Sequence, residues 1–223
     1  RGTLAKEWTA GYTITLDRYS NDLTESLRKK ELDFVGHKKE LESLERILAK
    51  TEINNVLMIG EPGTGKRSII YALVQNSLLG KSLPGVNYKR IVELNMSALL
   101  TQIENTEEIE VVLGEIFQEA VRAGNVILLI DEFHNYVGRP SKAGIIDISG
   151  IIAPYLRFSQ FQLIAITTYE GLHRYIEKNS SILTLFGKVG VSGISPKDTL
   201  VLLEHLTFFY ENKYKIFISY PAL

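Results

Sequence analysis

No cysteine occurs anywhere in the 223 residues, which excludes disulfides and thiolate-held metal sites outright. That absence is compatible with a reducing, cytoplasmic compartment. No apolar run approaches the roughly 20 residues needed to span a bilayer; Val126 to Ile130 is typical of the longest. No signal-peptide pattern opens the chain, which begins at Arg1 and not at Met, so it reads as a piece of a longer protein. An excess of one charge is missing too. Lys and Arg number 25 against 26 Asp and Glu, a net charge of −1, so the totals give no support for binding a polyanion such as nucleic acid. The four histidines, at 37, 134, 173 and 205, are scattered without metal-ligand spacing, and structural roles are expected for them. No serine stands in a G-x-S-x-G setting, so nucleophilic hydrolase chemistry has no support. What remains is an ordinary globular composition, 45% hydrophobic and 23% charged, with enough apolar surface for a core that needs no staple.

Residues 1 to about 30 are mixed and polar without sustained periodicity, and read as an arm or linker in which Trp8 covers an apolar edge or anchors a neighbouring domain. A regular pattern follows. Leu41, Leu44, Ile47 and Leu48 have helical spacing, predicting a helix from about Lys38 to Ala49. Val56 to Ile59 is a short apolar run ending in glycine, the mark of a buried parallel strand. A glycine loop and a helix from about Lys66 to Leu79 come next. Further strands are predicted at Ile91 to Leu94, Val126 to Ile130 and Leu163 to Ile166, with a weak fifth at Val189 to Val191. One long helix carries Ile109, Val112, Leu113, Ile116, Phe117 and Ala120 on a single face, and residues 197 to 212 are helical again. Strands alternating with helices predict an α/β fold, a parallel sheet covered on both faces. Ligands of such sheets bind beyond the carboxyl ends of the strands.

The two strongest motifs fall at those ends. Gly60-Glu61-Pro62-Gly63-Thr64-Gly65-Lys66 follows a strand and opens a helix. Its glycines let backbone N–H groups turn inward on phosphates, and the helix N-terminus adds partial positive charge. Lys66 is placed to reach the β- and γ-phosphates of ATP, or the β-phosphate of ADP. The next residue of such a loop is normally Ser or Thr, whose hydroxyl ligates magnesium. Here it is Arg67, and Ser68 is turned about 100° around the helix. Arginine offers a metal no lone pair but brings a permanent charge close to its place. Nucleotide binding is therefore expected to survive while metal-assisted hydrolysis slows.

Asp131-Glu132 closes the strand Val126 to Ile130. A carboxylate there can hold magnesium through water, and its neighbour can orient the attacking water. Acidic strand ends are often only solvent-facing caps, but this one lies on a strand that can run beside the loop strand. Thr167 and Thr168 end the next strand, where a hydroxyl can contact the γ-phosphate or simply satisfy β-propensity.

Taken together these segments resemble the first nucleotide-binding domain of the Clp-type AAA+ ATPases, the heat-shock disaggregases and protease unfoldases. The resemblance runs from about Thr15 to Asn212. It rests on Asp22-Leu23-Thr24, Leu32-Asp33, the loop Gly60 to Lys66, Gly124 to His134, Val137-Gly138, Pro154, Ala165 to Thr168 and Tyr175 to Lys178. It implies a five-stranded P-loop α/β subdomain over residues 31–195, the start of a helical lid over 196–223, and hexameric rings that thread polypeptide. It also implies that Phe34 and Val35 border the adenine, that Asp131 holds magnesium, and that Thr168, more than Thr167, is the sensor threonine. Three departures accompany it. Arg67 is one. Glu104-Asn105-Thr106-Glu107 lacks the aromatic of the family's pore loop, and Thr184 and Leu185 stand where its paired arginines would fall.

Two functions follow. One is an ATP-hydrolysing unfoldase module, supported by Lys66, Asp131 and Glu132. The other is a nucleotide-held scaffold or regulatory domain that assembles with active partners, supported by the three departures. For this chain by itself a monomer is expected, since the missing arginines remove one contact between neighbours.

Overall fold

The computed structural model describes residues 13–28, 34–103, 105–138 and 147–219. Trp8 and the rest of residues 1–12 of the expected arm, together with Leu32, Asp33 and Glu104, lie outside them. Among the described residues the strands form one six-stranded sheet in the order β1-β3-β4-β5-β2-β6. These are β1 Ser20–Asp22, β2 Asn55–Ile59, β3 Arg90–Leu94, β4 Val126–Ile130, β5 Gln162–Thr167 and β6 Phe186–Gly190. Five strands run parallel, as expected from their apolar runs. The sixth, β1, is an antiparallel edge pairing Ser20 with Leu94 and Asp22 with Val92.

The alternation of side chains along each strand divides the core in two. Leu57, Ile59, Leu128, Ile130, Leu163 and Ala165 face the long helix Thr106–Ala123 through Leu113, Ile116 and Phe117. Val56, Met58, Ile127, Leu129, Ile164 and Ile166 face the helices Lys38–Leu48 and Lys66–Leu79. Strands buried on both faces have no polar side, which is why they read as continuous apolar runs. The long helix is closed at its ends by local chemistry. The Asn105 side chain accepts the Glu107 N–H, Glu107 and Glu108 sit in the first turn, and Gly124 at φ +67° ends the helix.

Residues 13–28 differ from the sequence reading. They form the helix Ile14–Arg18, β1 and the helix Leu23–Leu27, with Leu16, Tyr19, Leu23 and Leu27 buried. Arg90 of β3 holds them. Its guanidinium donates to Asp17 at 2.8 Å, Asp22 at 3.0 Å and Thr13 at 3.2 Å. The Glu119 carboxylate accepts the N–H groups of Thr15 and Leu16. Elements of three to five residues are too short to show a period, so only these distant partners define them.

The strand order brings a second correction. β4 does not run beside β2, the strand before the glycine loop, because β5 lies between them. Asp131 therefore faces the loop across the end of β5. The final helix, Pro196–Tyr214, starts from Ser195, whose hydroxyl accepts the Asp198 N–H, and leaves Leu206, Phe208, Tyr210 and Tyr214 exposed. Among the described residues no helix is long and apolar enough to cross a membrane.

Candidate functional site

β2, β4 and β5 all deliver their carboxyl ends to one edge of the sheet, and the expected site residues gather there. The loop leaves β2 at Gly60, whose N–H donates to the Thr167 carbonyl at 3.1 Å. A Cβ on Gly60 would stand 2.4 Å from the Val191 carbonyl oxygen, so only glycine fits between the loop and the end of β6. Glu61, Pro62 and Gly63 are exposed, and Thr64 donates back to the Glu61 carbonyl at 2.9 Å. Gly65 caps the helix Lys66–Leu79 at φ +90°, a conformation costly for any residue with a Cβ. The N-cap is a glycine and makes no side-chain cap, so among the described residues the helix's first N–H groups face the loop uncapped.

Lys66 folds over the loop. Its Nζ donates to the carbonyls of Gly60 at 2.6 Å and Glu61 at 2.7 Å. Burial lowers its pKa, with the charges of Asp131 and Glu61 opposing. Arg67 lies across the strand ends. One terminal nitrogen grips both oxygens of Glu93, at 2.6 and 2.5 Å, and the other reaches Asp131 at 3.3 Å. Its Nε donates to the Tyr71 hydroxyl at 3.2 Å. The Tyr71 hydrogen bond raises the Arg67 pKa most; burial opposes it, and the charge and hydrogen bond of Glu93 add to the rise. Ser68, on the next face of the helix, is exposed.

Asp131 has both oxygens engaged, one by Arg67 and the other by the Glu132 N–H at 2.8 Å. Glu132 sits in the left-handed region at φ +48° and accepts from Asn135 at 2.9 Å. Arg67, Glu93, Asp131, Glu132 and Tyr136 line a cleft of about 290 Å³. Thr167 is buried, its hydroxyl 3.2 Å from His134 Nδ1. Thr168 accepts the Gly171 N–H at 3.0 Å, which caps a short helix and leaves its O–H proton for another acceptor. His134 also stacks on Tyr175, a packing role.

On the far side of the loop a second cleft, of about 660 Å³, is walled by Phe34, Gly36, His37, Ala72 and Ile194. That volume suits a nucleoside. Val35, expected beside Phe34 in this role, is half-buried but is not part of the wall. Glu93, Tyr71 and His37 are site residues the sequence did not disclose. Glu93 and Tyr71 meet Arg67 only through tertiary packing.

The phosphates of a nucleotide fit this arrangement: an open loop, an uncapped helix start and one ammonium. Magnesium does not fit it. The hydroxyl ligand is replaced by a cation, and that cation already holds the expected carboxylate. Among the described residues no group of three or more His, Asp or Glu side chains is arranged to hold a metal ion.

The family model for the ATPase family associated with various cellular activities (AAA) matches residues 56–172, from β2 through the acidic pair to just beyond β5. A Clp protease ATP-binding subunit ClpA homolog of Guillardia theta is 36% identical over 217 residues, covering 96% of this chain and 26% of that protein. The chaperone protein ClpB of Oceanobacillus iheyensis is 32% identical over 95% of this chain and 26% of its own length. The chain thus spans about a quarter of the curated relatives it matches. Among solved structures, the S. cerevisiae Hsp104–ADP complex superposes with a TM-score of 0.78 at 27% identity, over 92% of this chain and 29% of that one. A closed-state Hsp104 structure with ATPγS and FITC casein gives 0.80 at 28%, over 92% and 35%. Matched over more than half its length, and similar along nearly all of it to these Clp and Hsp104 proteins, the chain belongs to the AAA family of ATPases.

Proposed function

We propose that this chain is an ATP-binding AAA module in which Arg67 supplies, from the protein itself, much of the positive charge a metal would bring, and that its hydrolysis is slow. The observation carrying this reading is the Arg67 fork on Glu93 and Asp131. Lys66 and the loop N–H groups hold the phosphates, the cleft beside Phe34 takes the base, and Glu132 and Thr168 face the terminal phosphate and the water. The site Thr184 and Leu185 would occupy in an arginine-bearing relative is uncharged; Thr184 is exposed and Leu185 is half-buried against the core. An arginine delivered to a neighbouring site accelerates phosphoryl transfer by about 10³–10⁵, so this chain offers a neighbour little help.

The test is a titration with a fluorescent ATP analogue, with magnesium and with chelator, and phosphate release measured in the same samples. Wild-type affinity is expected to change less than about 3-fold between the two conditions, with negligible release. Arg67→Thr restores the hydroxyl and frees Asp131, and is expected to make binding magnesium-dependent and to raise turnover about 10-fold or more, a gain of about 1.4 kcal/mol. Steady magnesium-dependent turnover that Arg67→Thr leaves unchanged would overturn the proposal.

A second reading, a working unfoldase module, is favoured by the presence of Lys66, Asp131, Glu132 and Thr168 at one sheet edge. The named relatives are a chaperone and a protease subunit, and one Hsp104 structure holds FITC casein. On either reading the partner is a polypeptide, within a hexameric ring formed by the longer protein. For the chain itself a monomer is expected by light scattering with ATP; a stable hexamer would contradict it.

A further inference from the structure

The His37 side chain is only 5% exposed, yet its Nε2 has no hydrogen-bond partner among the described residues. Its Nδ1 faces the Glu40 carboxylate at 3.8 Å, too far for a hydrogen bond. Buried polar groups are nearly always paired, and leaving one unpaired is costly. The orphaned nitrogen is aimed at the phosphate loop: a Cβ placed on Gly65 would stand 2.7 Å from it. Gly65 is the N-cap of the 14-residue helix Lys66–Leu79 and supplies no side-chain cap to its first N–H groups. His37 itself is held at φ +52°, where non-glycine residues are uncommon. It also forms part of the wall of the larger cleft. The ring therefore stands at the junction between the space for a nucleoside and the loop for its phosphates.

We infer that His37 is a nucleotide-contacting residue, its Nε2 donating a hydrogen bond to a phosphate oxygen of the nucleotide held by the loop Gly60 to Lys66. This rests on the reading of that loop as a nucleotide site. The chemistry favours phosphate over base. The nitrogen abuts the loop glycine and not the apolar wall, and only an acceptor beside it would satisfy an N–H there. With its N–H at Nε2, the imidazole donates to the phosphate, an ionised acceptor, and needs no partner at Nδ1 to do so. Phe34, Gly36 and Ile194 are then left to the nucleoside. The cleft that His37 walls shares no lining residue with the one that Arg67 and Asp131 line, so the contact is independent of the metal question.

The experiment compares wild type, His37→Ala and His37→Gln in competition against the fluorescent ATP analogue, using ATP, ADP and adenosine, with thermal unfolding recorded in the absence of nucleotide. His37→Ala is expected to weaken ATP and ADP about 10-fold, as loss of one charge-assisted hydrogen bond does, and to leave adenosine unchanged. His37→Gln places an amide N–H near the same point and is expected to recover part of the loss. If His37→Ala fails to fold, the glutamine variant decides by the ratio of its ADP to adenosine losses. Unchanged ATP affinity in the variants overturns the inference, and so does an equal loss for adenosine, which would move the contact to the nucleoside. Wild-type protein that does not bind the analogue sinks the nucleotide reading itself and this inference with it.

Discussion

Lys66→Ala is expected to weaken ATP binding about 100-fold while leaving the fold intact. Among the described residues the Lys66 ammonium is the cation hydrogen-bonded to the loop, while Arg67 is turned onto Glu93 and Asp131. Its bonds to the carbonyls of Gly60 and Glu61 are ones that phosphate oxygens can replace. Two charge-assisted bonds to phosphate at about 1.5 kcal/mol each amount to roughly two orders of magnitude in affinity. The fold should tolerate the change because the Lys66 side chain is half-exposed and water can take over the freed carbonyls. Lys66→Arg should recover only part, because a planar fork does not replace a point charge in so tight a loop. The measurement is the same competition titration, with unfolding midpoints alongside. A change below about 3-fold would mean that the loop does not hold phosphate through this residue.

The second large effect is on stability. Arg90→Met is expected to cost about 3 kcal/mol, the lower part of the range for breaking a buried ion pair from one side. Arg90 is 7% exposed and its guanidinium serves Asp17, Asp22 and Thr13 together. Removing it leaves Asp22, whose side chain is 18% exposed, without its counter-charge; Asp17, at 41%, can turn to water, which moderates the loss. A denaturant titration with unchanged slope would report the difference. Adding Asp22→Asn to the Arg90→Met chain should return part of it, since the stranded charge and not the lost packing is the main penalty. A loss below about 1 kcal/mol would show that residues 13–28 are held by their apolar contacts alone.

Most of the sheet was legible in the sequence because its strands are buried on both faces. Val126 to Ile130 has no polar residue to disguise it, and the glycine loop announces the end of β2. The long helix was legible from its single apolar face. β1 was not legible. Three residues, Ser20–Asp22, carry no period, and what makes them a strand is the pairing with β3, some seventy residues away. The insertion of β5 between β2 and β4 is likewise a fact of pairing that no local pattern contains. At the site, Arg67 could be recognised as out of place from its position alone, as a charge close to where magnesium would sit; that it holds Asp131 is a fact of tertiary packing. Glu93 could not be found, because it reads as an ordinary exposed position within an apolar strand until Arg67 lies over it. His37 was set aside with the other histidines. Only its burial, and the glycine it touches, separate it from them.

The antiparallel β1 bears on where the chain can safely be cut. β3 would otherwise be the outer strand of that side, with the ladder Val92 to Leu94 unpaired and the pockets of Leu16, Tyr19, Leu23 and Leu27 open. A flat apolar edge of that kind invites pairing with another molecule. Three residues of β1, capped on each side by a short helix, close it with a strand too brief and too polar to serve as a template itself. A truncation at residue 31, where the repeating sequence pattern starts, is therefore expected to leave a chain prone to associate along its own rim.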